Sequence, residues 1–294
     1  MSRSTNITMT IKELDAALDE GESLKAITQA YSEISNLKIK KIRSAVERNR
    51  LFFDEISKVF GFVRALALKK KIGLEKPKKR LCILQTSNYR FYGNINTALT
   101  NYFLGSTREL ADVDKLILGK AGLDFFKASK LLPTYQQVML KTDMPSGQEL
   151  LDLVKICSEY NQVLVFHSKF KSLLTQQATF TDITATSTFL MESVREQDPK
   201  NKDYLRFIFE PELSKILHFF DNQILTLLLE GTFLESELSR TASRFISMDK
   251  AETEANKLIK QYQTLKAYAK RSLDNNTILE NFASMAALRK GAHA

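Results

Sequence analysis

The chain has 294 residues, a formal net charge of +9, 44% hydrophobic residues and no tryptophan. That length allows one or two domains with a sizeable core, and the positive balance points to acidic partners, with nucleic acid the usual first candidate. No apolar run reaches the roughly 20 residues of a membrane helix and Met1-Ser2-Arg3-Ser4-Thr5 has no signal-peptide core, so membrane-spanning and secreted classes are excluded and a soluble cytoplasmic protein is expected.

Residues 11 to about 72 hold no proline and only Gly21 and Gly61, so one helix can run through them. Ile11, Leu14, Leu18, Leu24, Ile27, Tyr31, Ile34, Ile42, Phe52, Ile56, Phe60 and Val63 recur at a broadly helical spacing, which predicts its apolar face. Lys38, Lys40, Lys41, Arg43, Arg48 and Arg50 form a basic cluster on this helix. Lys69, Lys70, Lys71, Lys76, Lys78, Lys79 and Arg80 form a second around Gly73 and Pro77. Neither interleaves the aromatics of a single-strand binder, so a solvated face or an acidic protein surface is preferred to nucleic acid.

Gly73 and Pro77 mark a boundary. Leu81-Cys82-Ile83-Leu84 reads as a short buried strand, followed by Gln85-Thr86-Ser87 and a helix start near Gly93. A strand, a glycine turn and a helix start suggest a phosphate loop. The chain lacks both Gly-x-Gly-x-x-Gly and the Gly-Lys-Ser/Thr ending, so no nucleotide site is expected there. Val113 to Leu118 reads as a second strand closing on Gly119. Ser146 to Tyr160 reads as a helix opened by Pro145 and Ser146. Gln162 to Phe170 reads as a buried strand, Thr179 to Leu190 as a further strand, Glu196 to Asp203 as a loop and Tyr204 to Phe209 as a short last strand.

Pro211 is the last proline, and Gly231 is the only glycine between it and Leu288. Glu212 to Leu288 therefore reads as one helix, roughly 110 Å long at about 1.5 Å per residue. Leu213, Leu217, Phe220, Ile224, Leu227, Gly231, Leu234, Leu238, Thr241, Phe245 and Met248 make a heptad seam. Ala251 follows Met248 after three residues instead of four, a slip that overwinds a coiled coil, and the pattern resumes at Ala255, Leu258, Tyr262, Leu265 and Ala269. The expected fold is α/β with dominant helix. Its N-terminal (residues 1–75) and C-terminal (residues 211–294) helices form a long antiparallel coiled coil, and residues 76–210 form a small inserted Rossmann-like α/β domain.

Catalytic chemistry is not foreseen. His167, His218 and His293 fall on a strand, a helix and a tail and make no ligand set, and no Gly-x-Ser-x-Gly, His-Glu-x-x-His or Cys-x-x-Cys occurs. Glu235 and Glu237 read as solvated or ion-paired helix carboxylates. Cys82 and Cys157 read as isolated buried thiols without a disulfide. No catalytic residue, metal or cofactor is expected.

Arg244, Met248-Asp249, Ala251, Ala255 and Leu258-Ile259, with Glu280 ahead of Ala286-Ala287-Leu288, resemble the C-terminal helix of the gamma subunit of F-type ATP synthases. Ile27-Thr28-Gln29-Ala30 followed by Lys38 resembles that family's N-terminal helix. Gly93 and Asn96, Gly119 to Phe126, Gln162 to Phe170, and Glu210-Pro211 resemble its α/β segments. Departures are specific. Tyr31 replaces a methionine, and Ser35, Asn36 and Leu37 replace alanines and enlarge the seam. Asn88, Tyr92 and Asn94 replace an aspartate, a cysteine and a glycine, and Ser239-Arg240 replaces Ser-Glu. Lys270, Arg271 and Ser272, then Asp274, Asn275, Asn276 and Thr277, replace Arg-Gln-Ala and Ile-Thr-x-Glu.

The resemblance implies a non-catalytic central-stalk subunit that couples rotation to nucleotide chemistry in a ring of alpha and beta subunits. An epsilon-like subunit and a ring of c subunits would sit at its foot in a true synthase. The membrane's inner face would be reached only through the complex. It also implies that Ile27, Thr28, Lys38, Lys40, Lys41, Arg43, Arg244, Met248, Asp249, Lys270, Arg271 and Glu280 meet the ring, the six basic residues other than Arg244 forming a collar. The alternatives are a gamma-like shaft of a specialised F-type-derived ATPase without a proton ring, and a coiled-coil adaptor for acidic partners.

Overall fold

The computed structural model describes residues 9–69, 79–108, 110, 113–132, 134–184 and 212–291. The described chain runs α1 (Ile11–Lys69), β1 (Arg80–Gln85), α2 (Ile95–Thr107), β2 (Val113–Leu118), α3 (Lys120–Ser129), β3 (Gln136–Val138), α4 (Gly147–Ser158), β4 (Gln162–Phe170), β5 (Gln176–Asp182) and α5 (Leu213–Gly291). The absence of proline lets α1 reach 59 residues and α5 reach 79. The expected strand Tyr204 to Phe209, the loop before it, Glu210-Pro211, His293 and most of the second basic cluster lie outside the described residues. The chain divides into two compact units, residues 35–246 and residues 1–34 with 247–294.

The larger unit is built on a five-stranded sheet of order β3-β2-β1-β4-β5. Its first four strands are parallel, and β5 folds back antiparallel on β4. Strand period two sends alternate residues to opposite faces. Leu81 and Ile83 pack with Leu153 and Cys157 of α4 and Leu225, Leu229 and Phe233 of α5. Cys82 and Leu84 pack with Leu99 and Phe103 of α2 and Leu123 and Phe126 of α3. Coverage on both faces is why β1 reads as an unbroken apolar run.

Two strands differ from expectation. β3 was not foreseen, because its residues Gln136-Gln137-Val138 are too few and too polar to signal a strand. β5 begins at Gln176, not Thr179, because the turn at Lys171–Thr175 sets the hairpin register. By contrast, α4 opens where Pro145 and Ser146 predict it, and Ser146 and Glu149 form a reciprocal capping box there.

In this unit α1 and α5 run antiparallel. Phe60 packs on Phe220 at 6.3 Å between ring centroids, Asn49 donates toward the Leu227 carbonyl, and Ile39 and Ile42 pack against Leu238 and Ala242. The smaller unit repeats the arrangement. Gln29 donates to Glu252 at 2.7 Å, Gly21 faces Ile259, and Asp15 pairs with Lys266.

The inner face of α1 corrects the expected seam. Leu24, Ile27, Ile34 and Phe52 are exposed, while Thr28 and Ser35 are buried. Small residues let two helix backbones approach closely, so they take the inside. Asn36 and Leu37 face outward and do not enlarge the seam. On α5, Leu258 and Leu265 are likewise exposed, and Ile259 takes the inner position instead.

Candidate functional site

In an open α/β sheet, ligands bind beyond the C-terminal strand ends where the strand order reverses. Here that point lies between β1 and β4, and the groups around it bond to one another. Thr86 donates its hydroxyl to the Leu118 carbonyl at 2.7 Å and accepts from Gly122 N at 2.9 Å. Asn88 accepts from Lys120 N, the first amide of α3, at 3.0 Å. Asp143 accepts from Asn88 N at 2.5 Å and from the Tyr92 hydroxyl at 2.7 Å.

Helix α5 closes this crevice. Ser236 donates to Gln85 Oε1 at 3.4 Å, and Ser243 donates to the Tyr92 carbonyl at 2.8 Å. Arg240 donates from Nη2 to Glu237 Oε2 at 3.1 Å and to the Asp143 carbonyl at 3.4 Å. Burial alone would raise the Glu237 carboxyl, but Arg240 and Lys38 outweigh it and hold it below its usual range. Burial pushes the Tyr92 phenol up, and the Glu237 and Asp143 carboxylates add to that. The strand ends thus form a polar junction whose groups bond to one another and to α5.

Among the described residues, no group of His, Cys, Asp and Glu is arranged to hold a metal ion. His167 donates to or accepts from Thr181 Oγ1 at 2.8 Å. Burial draws its pKa down to about 4.

The residues expected to meet partners fall into separate groups. Ile27 is 54% exposed on α1, whereas Thr28 is buried and donates to the Lys25 carbonyl at 2.8 Å. Lys38 is turned to Glu237. Lys40 and Lys41 are exposed, as is Arg43, which lies 5.8 Å over the Phe170 ring. Arg244 stacks 4.1 Å over Tyr92 and donates to the Arg90 carbonyl at 3.0 Å. Met248 is buried. Asp249, Lys270, Arg271 and Glu280 are exposed. Of the six collar residues, Lys38, Lys40, Lys41 and Arg43 belong to the larger unit and Lys270 and Arg271 to the smaller.

The smaller unit has a further surface. From Lys270 to Met285 every residue of α5 is exposed, including Leu273, Ile278, Leu279, Phe282 and Met285. The heptad seam ends at Ala269, and sequence periodicity gave no sign that the apolar residues beyond it stay uncovered. Leu273, Ile278 and Phe282 fall off the continued seam, whereas Leu279 falls on it and is exposed all the same.

A family model described as ATP synthase matches residues 10–288. Relatives covered over nearly their whole length carry the name ATP synthase gamma chain. The chain belongs to the ATP synthase gamma family.

The gamma chain of Stenotrophomonas maltophilia (strain R551-3) is 21% identical over 291 residues, covering 94% of this chain and 99% of that one. The gamma chain of Staphylococcus saprophyticus is 22% identical over 262 residues, covering 85% and 88%. Among solved structures, the central stalk and c-ring of the Tetrahymena thermophila mitochondrial ATP synthase holds a chain that matches with a TM-score of 0.56. The two are 18% identical, covering 76% of this chain and 99% of that one. The rotor of the Euglena gracilis mitochondrial enzyme gives a TM-score of 0.56 at 15% identity, covering 88% and 98%.

These likenesses agree with the architecture of long helices and inserted sheet. The adaptor reading gains no support from them. Within the gamma family, the departure at Ser239-Arg240 has a structural explanation here: Arg240 is matched by Glu237 and Asp143.

Proposed function

We propose that this gamma-family chain is the non-catalytic central stalk of a rotary ATP synthase or ATPase, turning inside a ring of alpha and beta subunits. Residues 76–210 form its α/β domain, inserted between helical segments 1–75 and 211–294. The observation that carries this reading is the bare stretch of α5. Leu279, at 66% exposed, and Phe282, at 63%, are uncovered on a helix that already has a partner elsewhere in its length. Apolar side chains held in water at this density mark an interaction surface.

A second stripe on α1, formed by Leu24, Ile27 and Ile34, supports the same conclusion, because a shaft must meet its surroundings on more than one side. Ile27, Lys40, Lys41, Arg43, Asp249, Lys270, Arg271 and Glu280, all exposed, provide the polar and apolar ring contacts. Exposed ion pairs contribute only about 0–1 kcal/mol each, so the basic residues bias the angle of the shaft while steric contact transmits torque. The α/β domain would meet an epsilon-like subunit and a c-ring at the foot, and the chain would reach the membrane through them. Among the described residues, no helix is long and apolar enough to cross a membrane.

A photo-crosslinking residue placed at Leu279 in the complex purified from its native cell tests this. Crosslinks to alpha or beta subunits, absent when the probe replaces exposed Lys155 of α4, are expected. Crosslinks from Leu279 only to lipid, nucleic acid or another copy of the chain would overturn the reading.

A further inference from the structure

We propose that Arg240 is a positioning residue that sets the register of α5 on the α/β sheet, acting through Glu237 and Asp143. Beyond Leu225, Leu229 and Phe233, which fill the sheet's core, the inward face of α5 carries Ser236, Ser239, Ala242 and Ser243, all buried and all small. Such a face allows close backbone approach, but one helical turn offers much the same shape as the next. Jigsaw fit, which ordinarily selects a single packing, is therefore weak along this stretch and rests on the larger residues before it.

Arg240 is the exception. It heads the largest fully buried side chains. It also joins separate parts of the chain: Glu237 on its own helix at 3.1 Å, and on the segment before α4 both the Asp143 carbonyl at 3.4 Å and carboxylate at 4.0 Å. Asp143 is itself held by Asn88 and Tyr92, and Glu237 takes Lys38 from α1. The set contains two cations and two anions at one place.

A slip of α5 by one turn, about 5.4 Å, would carry Arg240 and Glu237 away from Asp143 and Lys38. Buried charges without partners are strongly disfavoured, whereas a buried pair adds little to stability over an apolar replacement. Such a group is retained for the arrangement it specifies. A glutamate at position 240 would face the Glu237 and Asp143 carboxylates, so Arg240 and Glu237 form a matched set.

Register is read in the isolated chain and does not depend on the shaft reading. Ser168 donates to the Ser236 carbonyl at 3.5 Å, which places these two positions together. S168C is combined in turn with S236C, T232C or S239C and oxidised with a small-molecule oxidant, and the joined peptides are mapped by mass. With Arg240 and Glu237 present, the 168–236 bond should dominate. In E237L/R240M the 168–232 or 168–239 bond should rise severalfold while Tm stays level or increases, and R240K should restore part of the original preference. An unchanged 168–236 preference in E237L/R240M would overturn the proposal. So would loss of cooperative unfolding in that variant, which would make the set a stability element.

Discussion

Arg240 and Glu237 lie one turn apart on α5, 3.1 Å between Nη2 and Oε2, with each side chain 1% exposed. An i, i+3 pair on a helix surface would contribute a few tenths of a kcal/mol. Buried, the pair behaves differently, because removing one member strands the other in a low-dielectric interior. R240A is expected to cost about 3–5 kcal/mol, read as a lower urea midpoint with an unchanged slope.

His167 sets an acid limit. Its folded-state pKa of about 4 lies below the value of 6.5 for an unperturbed imidazole. Between these values the unfolded chain binds more protons, so stability is full above about pH 6.5 and declines as pH falls toward about 4. The loss attributable to this group is about 3 kcal/mol at the end of that window. H167Q should remove that portion of the slope when unfolding is followed across the pH range.

Gly119 sits at φ 88°, and a Cβ there would lie 2.3 Å from the Thr86 carbonyl oxygen. G119A should therefore destabilise by about 1–3 kcal/mol or more, from strain and backbone clash together. Gly147, at the start of α4, has open space around an added Cβ. G147A should be neutral or stabilising by up to about 1 kcal/mol. Thermal unfolding of the two variants side by side checks the contrast.

Burial pushes the Cys157 thiol up to about 12 and the Cys82 thiol up to about 11. The thiolate is the reactive form, so neither should be alkylated by iodoacetamide in the folded chain. Both should react as the chain unfolds, and mass spectrometry along a denaturant series should place that reaction on the unfolding transition.

Much of the fold was legible because it depends on local signals. The lack of proline marked both long helices, and apolar runs marked β1, β2 and β4. Less visible was which side of α1 faces inward. Leu24, Ile27 and Ile34 have helical spacing and read as core, yet Gly21, Thr28 and Ser35 line the pair while the larger residues face out. Periodicity locates a stripe, but backbone proximity decides which stripe is buried. The Arg240 junction was hidden for another reason. Glu237 and Arg240 look like a surface ion pair in sequence, and Asp143, which completes the set, is separated from Arg240 by 97 residues.

Whether this chain is the stalk of a rotary complex is tested most directly by its native assembly. The chain, tagged in its own cell, is recovered under mild detergent and its companions are identified and quantified by mass spectrometry. Alpha and beta subunits with nucleotide-binding loops are expected in stoichiometric amounts, together with ATP turnover that follows the complex through size exclusion. Recovery of the chain alone, or with acidic proteins that bind no nucleotide, would contradict it.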